Sequence, residues 1–536
     1  MQKVNEYIIR IVYTISLSLF TILTIRGFFG TIGIVISVML SVIIGWQFAP
    51  TVIRAIASKR NITIGVFSLL FAIYVTLEYA KLGNPIGVLY LNETIAGILQ
   101  NIHLTIPIFL RLMYVGPVPA VAMSAYWLID RILPVVTNGI VRLERDEKIF
   151  LLVCFGAAVI MITMLYLRTD LFFWPHDEAG NLVEYDALYT TDSGDVYESD
   201  CFFYIVASPN DLRQPLFGLF ALPFAFAARI ISKILCFIPN SYAIVLQIIQ
   251  VGLIAVTEVM LSRLMELKKQ DRILFWLFTS CSFSYMLFSL VMEQYIIAYF
   301  YVILTVYMAK ESEKLNFAYF GAVSTLLTSG VLFPLVSKEK QIKRWIADLL
   351  KAFLIYMALV TVCGQLPQFL DIRRQMTSLM QFSGESVSWR EKTIQFTNHI
   401  QNMFWAPGAN SEGIFYHLNV ATHISWIGIG LFILSVIGFV LNREKQIARV
   451  AFGWVVFSVV ILYIVGWGTA ENGLILYALY FAWAYIVLLY LMIGKIIKEK
   501  WTRIGVIVVA SLICFCANSR ELWNIVCWGL ANYPIG

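Results

Sequence analysis

The residues best suited to chemistry lie in the segment 168–213, which is rich in acidic side chains. In Asp192-Ser-Gly-Asp195 two carboxylates flank a flexible Ser-Gly turn, so both can approach one cation or one substrate hydroxyl. Arg213 follows, with a planar guanidinium that can bind a phosphate through two hydrogen bonds. The apolar run 215–236 comes next and offers a surface for a lipid tail. A carboxylate base, a phosphate ligand and an apolar surface are together the groups needed to move a sugar from a lipid phosphate.

The elements that must position these residues are membrane helices. Hydrophobic residues make up 60% of the 536 residues and charged residues only 13%, and the mean hydropathy is +0.79. This composition argues against a soluble enzyme, a disordered protein and a nucleic-acid-binding domain. Apolar blocks at 149–166, 425–441 and 473–494 are continuous and long enough to cross a hydrocarbon core of about 30 Å. The sequence predicts an all-α polytopic membrane protein with roughly 12–14 transmembrane helices.

Clusters of basic residues between the apolar blocks predict which loops are cytoplasmic. Two long segments lack such a cluster, and we expect both to be large external loops: 168–213, with ten acids against two bases, and 364–424. The protein is expected in the cell membrane, with a cytoplasmic N-terminus on a retained first helix. The predicted inside clusters lie at 59–60, 142–148, 268–272, 310–314, 338–344, 443–449 and 495–503.

Threading the chain through these constraints leaves one ambiguity, in the apolar run 215–236. If this run and the following run 242–265 both crossed the membrane, the basic segment 268–272 would lie outside, against the charge rule. We therefore favour a surface or re-entrant position for 215–236 over a crossing. The stretch 317–337 is likewise predicted to be a broken hairpin, because Thr-Ser-Gly interrupts it and a basic cluster follows.

The chain divides into three predicted regions. Residues 1–145 form an N-terminal transmembrane bundle without visible chemistry, 146–340 hold the acidic loop and the catalytic core, and 341–536 form C-terminal transmembrane helices. Candidate substrate-binding residues in the core are Asp200, Asp211, Arg213, Gln214, Glu293 and Gln294. For most loop acids, among them Asp177, Glu178, Glu184 and Asp186, simple solvation is the alternative explanation, and Glu293 could equally reach external water.

Metal and redox chemistry find little support in the sequence. The histidines of the second outer loop, His399, His417 and His423, do not have the spacing of a helical metal pair. We assign no metal to them and interpret them as solvated or as part of an acceptor-binding surface. The eight cysteines are scattered without a metal or redox motif. Asp192 and Asp195 could hold a divalent cation, but no cofactor is required.

The order of these features resembles the GT-C superfamily of integral-membrane glycosyltransferases. A crossing helix leads into a large acidic external loop, and Arg213-Gln-Pro215-Leu216 then opens an apolar stretch. Glu293-Gln294 stands just before the next helix, where members of the superfamily commonly carry an acidic residue. The broken hairpin within 317–337 is similar to the short re-entering pair of many members. The resemblance covers about residues 149–340.

The resemblance implies transfer of a sugar from a polyprenyl-phosphate carrier to an acceptor at the external membrane face, usually with inversion. An aspartate of the first external loop would be the general base; we expect Asp192, with Asp195 as the second choice. Many members carry this aspartate soon after the first helix, which would favour Asp170 or Asp177. The implied partners are the lipid-linked sugar donor, a glycan, lipid or protein acceptor, and the bilayer; nucleic acid is not expected.

Other function classes remain open at this point. A transporter or flippase of lipid-linked glycans would carry intramembrane charges and paired broken helices. A polymerase or ligase of surface polysaccharide would share the outer loop and the lipid-linked donor. A purely structural membrane protein is a further alternative. Because the acids concentrate in an external loop, the sequence favours chemistry at the membrane surface.

Overall fold

The fold was analysed on a computed structural model of the chain. It describes residues 2–25, 31–58, 61–81, 97, 100–101, 103, 106–176, 180–183, 187–205, 213–311, 317–337, 339, 341–371, 373, 376–377, 380 and 382–535.

The N-terminal region is a bundle of apolar helices joined by small polar contacts. Tyr13 and Ser124 share a hydrogen bond of 2.9 Å between their hydroxyls, and the Ala120 amide donates to the Ser16 hydroxyl at 2.8 Å. Such contacts hold helices together in lipid, where apolar burial alone gives little preference for protein neighbours. The helices are α1 (Gln2–Thr24), α2 (Thr31–Ser58), α3 (Ile62–Lys81), α4 (Ile106–Val115) and α5 (Val118–Val141).

The other described residues are also mainly helical, with the largely irregular acidic loop and one short β-hairpin between the helices. These helices are α6 (Arg145–Tyr166), α7 (Ser193–Glu198), α8 (Phe217–Ile234), α9 (Ser241–Leu264), α10 (Lys269–Ser280), α11 (Phe283–Phe288), α12 (Gln294–Glu311), α13 (Phe317–Thr325), α14 (Leu332–Val336), α15 (Ile342–Val362), α16 (Leu366–Leu370), α17 (Trp389–Asn402), α18 (Trp426–Asn442), α19 (Gln446–Ser458), α20 (Ala478–Ile496) and α21 (Lys500–Asn532). Strands β1 (Ala409–Glu412) and β2 (Phe415–Leu418) pair antiparallel, with Ala409 opposite Leu418.

The described residues confirm an all-α polytopic membrane protein. Eleven of their helices are long and apolar enough to cross a membrane, against the predicted 12–14 spans. The difference arises partly because segments such as 425–441 form shorter helices, here the 17-residue α18. Helix α20 is the centre of the bundle, since the whole of its apolar window is buried.

Four of the predicted inside clusters meet at one end of the molecule through ion pairs. The Arg263 guanidinium donates to Glu147 at 2.8 Å, and Arg272 donates to Glu144 at 2.9 Å. Two further pairs join neighbouring clusters at this end: Lys310 with Glu266 at 2.8 Å and Arg503 with Asp271 at 3.1 Å. The clusters therefore share one end of the bundle, as loops on a single membrane side must.

The opposite end carries the acidic loop and both ends of α8. Asn240, just after α8, donates its side-chain amide to the Tyr166 carbonyl at the end of α6 (3.1 Å). At the start of α8, Gly218 packs so closely on the loop that a β-carbon would lie 2.8 Å from the Ile205 nitrogen. Helix α8 therefore starts and ends beside the loop. This geometry suits a surface or re-entrant position of 215–236, which stays a prediction.

The stretch 317–337 confirms the predicted break. Helix α13 ends at Thr325, a 3₁₀ turn covers Leu327–Val331 at the Thr-Ser-Gly sequence, and α14 follows. The tip of this hairpin reaches the acidic loop, because the Leu327 amide donates to the Arg213 carbonyl at 2.8 Å. The hairpin therefore positions the backbone of a predicted site residue.

Cysteine labelling tests the arrangement of the two ends. In a background with Cys236, Cys516 and Cys527 replaced by serine, Pro239→Cys and Glu412→Cys should react in intact cells with a membrane-impermeant maleimide. Glu444→Cys should react only after permeabilisation, since its parent side chain is 92% exposed and its cluster is predicted to be cytoplasmic. Protection of Pro239→Cys in intact cells, with Glu412→Cys still reactive, would instead show that 215–236 crosses.

Candidate active site

The acidic loop is folded into the protein core and is not a solvated excursion. Its apolar side chains Phe172, Tyr189 and Val196 are fully buried. The Tyr166 hydroxyl donates to the Leu290 carbonyl at 2.8 Å, and the Met292 amide donates to the Phe172 carbonyl at 3.0 Å. These bonds attach the loop to the segment that leads into α12. Among the described acids of the loop, solvation therefore accounts only for the exposed Glu198 and not for Asp170, Asp192, Asp195 or Asp200.

Asp192 and Glu293 meet where the loop crosses the start of α12. One Glu293 carboxylate oxygen accepts from the Asp192 backbone amide at 3.2 Å, and the other accepts from the Gln294 amide at 3.0 Å. Gln250 of α9 holds the backbone of Glu293, since its side chain donates to the Glu293 carbonyl (3.2 Å) and accepts from its amide (3.3 Å). Glu293 is fully buried, so it is not a side chain that reaches external water.

Burial raises the pKa of Glu293 well above its usual range, and the nearby carboxylates of Asp192 and Asp195 raise it further. Negative charges close to Glu293 favour its protonated form, because like charges at close range repel. The structure thus brings together three of the residues predicted from the sequence. A buried carboxyl with a raised pKa beside other carboxylates is a common arrangement for general acid–base chemistry.

Arg213 faces this carboxylate group across aromatic side chains. Its guanidinium lies 4.5 Å from the centre of the Phe382 ring. The Trp467 indole nitrogen donates to the Tyr477 hydroxyl at 3.0 Å, and the Arg213 and Asp192 charges both act on the Tyr477 phenol. Tyr295, whose ring centre lies 5.6 Å from that of Tyr477, is subject to the same two charges. A cation and an anion therefore border one aromatic patch.

Gln214 and Gln294 are each 2% exposed, and neither side-chain oxygen has a hydrogen-bond partner among the described residues. The same holds for the hydroxyls of Ser324 and Ser329 in the broken hairpin. Buried polar atoms are nearly always paired in folded proteins. Several unpaired polar atoms lie in segments adjoining Arg213 and Glu293. A bound polar ligand would supply hydrogen-bond partners for such atoms.

Loop 466–473 brings Trp467 to the site through an unusual turn. Helix α19 continues as a π-helical segment over Val459–Val465, and Gly466 follows with φ +75°, a conformation that favours glycine. The Gly468 amide then donates to the Phe382 carbonyl at 3.0 Å. Single π-helical turns are frequent at functional sites. This turn is what joins the second outer loop to the carboxylate group.

The structure places Asp200 apart from this group. Its carboxylate forms an ion pair with Arg229 of α8 and accepts from the Tyr242 hydroxyl at 2.7 Å. Arg229 also lies 3.8 Å from the centre of the Phe203 ring and 3.6 Å from Glu78 of the N-terminal bundle. Asp200 therefore anchors the loop to two other regions, and its contact with substrate stays a prediction.

The other residues considered from the sequence lie elsewhere in the structure or outside its described part. Five acids are outside the described residues: Asp211, Asp177, Glu178, Glu184 and Asp186. Asp170 is paired with His176 at 3.1 Å, and burial raises the pKa of its carboxyl. The three loop histidines are dispersed: His399 is buried, His417 stacks on Phe415, and exposed His423 bonds Thr422. Across the described ranges, no three metal-ligating side chains come close enough to bind one ion.

Sequence reasoning missed several residues that the fold brings to the site. Tyr295, Tyr477 and Trp467 have the composition of a membrane-interface belt, so their types alone gave no signal. A buried acid outside the carboxylate group was also missed: Glu258 is 2% exposed within α9 and accepts from the Ser280 hydroxyl at 3.3 Å. A lone acid in an apolar run was the available signal, because a carboxylate at membrane depth is costly to keep.

Comparison with protein-family models, with curated proteins and with solved structures finds no match to this chain. The assignment of function therefore rests on the geometry described above.

Glu293→Gln tests the raised pKa of Glu293. The folded protein holds the Glu293 proton more tightly than the unfolded chain, whose pKa is near the ordinary value of 4.5. This contribution to stability is complete below that value and is lost as pH rises through the folded pKa. We expect the thermal stability of the wild type, relative to Glu293→Gln, to fall as the pH rises above the ordinary value of 4.5. Parallel stability curves would contradict the raised pKa; Glu198→Gln, in the same loop, is the control.

Asp200→Asn tests the anchoring role of Asp200. Removing the Asp200 charge from a largely buried ion pair leaves Arg229 with only the more distant Glu78, at 3.6 Å, so we expect a loss of about 2–4 kcal/mol of stability. The measurement is the apparent melting temperature of the purified protein, with Glu198→Gln as the control because Glu198 is exposed. An unchanged melting temperature with a loss of substrate binding would show that Asp200 contacts substrate instead.

Proposed function

We propose that this protein is a GT-C-type glycosyltransferase that moves a sugar from a polyprenyl-phosphate donor to an acceptor at the external membrane face. The observation that carries the proposal is the meeting of Asp192, Asp195 and buried Glu293 opposite Arg213. The groups lie at the end of the bundle away from the ion-paired basic clusters. A base and a phosphate-binding cation at a membrane surface suit a lipid-linked donor better than a soluble one.

The proposed reaction is a single displacement. The acceptor hydroxyl gives its proton to the Asp192 carboxylate while its oxygen forms a bond to the anomeric carbon of the sugar. The bond from that carbon to the carrier phosphate breaks, and the phosphate oxygen keeps the electron pair. Arg213 stabilises the negative charge that develops on this oxygen. General-base assistance typically contributes about 10²–10⁴-fold, and alignment of the two substrates supplies the rest.

Glu293 acts as a positioning residue in this scheme. In its protonated form it adds no charge beside Asp192, so Asp192 can remain the anionic base. Its hydrogen bond from the Asp192 amide fixes the backbone that carries the base. Asp195 lies one helical turn further along α7 and stays the second choice for the base, or a ligand for a divalent cation together with Asp192.

An apolar surface for the carrier lies next to these groups. Helix α8 starts three residues beyond Gln214 and buries Phe217 and Phe220, whereas Ile230, Ile231 and Ile234 towards its far end are 39%, 41% and 70% exposed. Exposed side chains of this kind can contact lipid tails. The polar end of a polyprenyl phosphate would then reach Arg213 while its chain stays in the bilayer along α8.

A transfer assay on the purified protein tests the proposal, with a panel of polyprenyl-phosphate sugars as donors. We expect turnover with at least one donor, and Asp192→Asn should lower kcat by about 10²–10⁴-fold because the base is lost. Arg213→Gln should lower kcat by about 10²-fold because charge on the leaving phosphate is no longer stabilised. Glu198→Gln, which neutralises an exposed acid of the same loop, should retain wild-type rates.

Two outcomes would contradict parts of this proposal. Full activity in both Asp192→Asn and Asp195→Asn would remove the assignment of the base. Absence of turnover with every donor, together with donor-dependent flipping in vesicles that Glu258→Gln abolishes, would favour a flippase of lipid-linked glycans. Glu258 is the structural observation on which that second function would depend, because it is an acid buried within a spanning helix.

A further inference from the structure

A polar cavity of about 320 Å³ lies between the loop 364–424 and the segment 472–475. One wall is a face of α17, where Gln395, Asn398, His399 and Asn402 follow the three- and four-residue spacing that aligns side chains on a helix. The opposite wall is formed by residues 407–408 and 418–423, and residues 472, 474 and 475 close the third side. The cavity is therefore built from segments distant in sequence.

None of the side chains that line this cavity is acidic, and none is a lysine or an arginine. The lining is instead rich in amides, and it contains two histidines. A cavity of this kind offers hydrogen bonds without a net charge. It is suited to a neutral ligand with many hydroxyl or amide groups, and poorly suited to a phosphate or a cation.

His399 gives the strongest indication that the cavity has a ligand. The side chain is 2% exposed, and neither ring nitrogen has a hydrogen-bond partner among the described residues. Burial lowers its pKa to about 3, so the ring is neutral at physiological pH. A neutral imidazole presents one N–H donor and one nitrogen acceptor, which together match a hydroxyl that both donates and accepts.

Gln395 adds a second unpaired atom, one helical turn before His399. Its side-chain nitrogen donates to the Thr469 carbonyl at 3.0 Å, which fixes the orientation of the amide. The side-chain oxygen is then left buried, without a partner among the described residues. Leaving such groups unpaired is unfavourable, and a bound polyhydroxylated ligand would remove this penalty.

The cavity adjoins the carboxylate group through one residue. Gly473 lies between two residues of the third wall, Asn472 and Leu474, and a β-carbon at this position would lie 3.8 Å from the Thr190 hydroxyl. Thr190 is two residues before Asp192. The acidic loop that carries Thr190 is also joined to the β-hairpin, because the Tyr189 amide donates to the Tyr416 carbonyl at 2.7 Å. A ligand in the cavity would thus lie beside the proposed base.

We propose that this cavity binds a neutral carbohydrate, through His399 and Gln395, and holds it as the acceptor for the carboxylate site. The role as acceptor rests on the proposed glycosyltransferase function, whereas the binding of a neutral sugar does not. The side chains of Asn402 and Asn472 supply further amide groups around the same space. The cavity therefore determines which acceptor is used, and the carboxylate group performs the transfer.

Saturation-transfer NMR on the full-length protein in lipid nanodiscs tests the binding. The probes are two neutral sugars, N,N′-diacetylchitobiose and maltose, and one anionic sugar, digalacturonic acid. We expect saturation transfer from the protein to a neutral sugar and no saturation transfer to the anionic sugar. His399→Leu and Gln395→Met should each weaken binding about tenfold or more, since each removes hydrogen bonds to the ligand. His417→Leu replaces a histidine of the same loop that does not line the cavity, and should bind like the wild type.

The melting temperature of each variant separates loss of binding from loss of fold. His399→Leu removes a buried group without a partner, so it should unfold at or above the wild-type temperature. Three results would each overturn the proposal. They are no saturation transfer to either neutral sugar, binding that His399→Leu and Gln395→Met leave unchanged, and a preference for the anionic sugar.

The same experiment distinguishes this inference from the proposed function. Asp192→Asn should bind the neutral sugar as the wild type does, because Asp192 does not line the cavity. If the wild type binds a neutral sugar but catalyses no sugar transfer from any donor, the cavity assignment stands and the glycosyltransferase proposal is wrong. If the wild type catalyses sugar transfer from a donor but binds no neutral sugar, the glycosyltransferase proposal stands and the cavity assignment is wrong.

Discussion

The outer end of the molecule depends on one buried carboxylate, that of Glu293. A carboxylate removed from water is costly unless it is protonated or hydrogen-bonded. Here two backbone amides donate to it, one from Asp192 and one from Gln294, and Gln250 fixes its own backbone. Satisfying Glu293 therefore forces the acidic loop onto the start of α12. The same contact brings Asp192 and Asp195 close enough to raise the pKa of Glu293. The contact that folds the loop therefore also sets the charges around Glu293.

The two ends of the bundle use charge in opposite ways. At one end, arginines and lysines form ion pairs with acids, such as Arg263 with Glu147, and these pairs hold helices together. At the other end Asp192, Asp195 and Glu293 come together, the Arg213 and Asp192 charges act on the same two phenols, and the anchoring pair of Asp200 and Arg229 is separate from them. The ion pair that anchors the loop is thus distinct from the carboxylate group, which adjoins buried amide oxygens that have no partner among the described residues.

Much of the architecture could be predicted from the sequence, because composition and charge act locally. The all-α membrane class, the grouping of the basic clusters, the break at Thr-Ser-Gly and the prominence of Asp192, Asp195 and Glu293 all follow from residues near each other in the chain. Contacts between distant segments could not. Arg229 lies inside an apolar run that gives no sign of its partner Asp200, and Tyr295 and Tyr477 look like ordinary interfacial aromatics. His399 looked like a loop histidine, since nothing local reveals that α17 turns it inward.

The proposed function would also explain why the carboxylate group is charged and the neighbouring cavity is neutral. A phosphate leaving group needs a cation, and a hydroxyl nucleophile needs a base, so both must be close to the reacting carbon. The remaining hydroxyls of an acceptor need recognition without charge, because a fixed charge near them would compete with Asp192 for the proton or with Arg213 for the phosphate. An amide-rich wall meets that requirement. Gly473 has no side chain to separate the cavity from Thr190. The neutral wall of the cavity therefore adjoins the segment that carries Asp192.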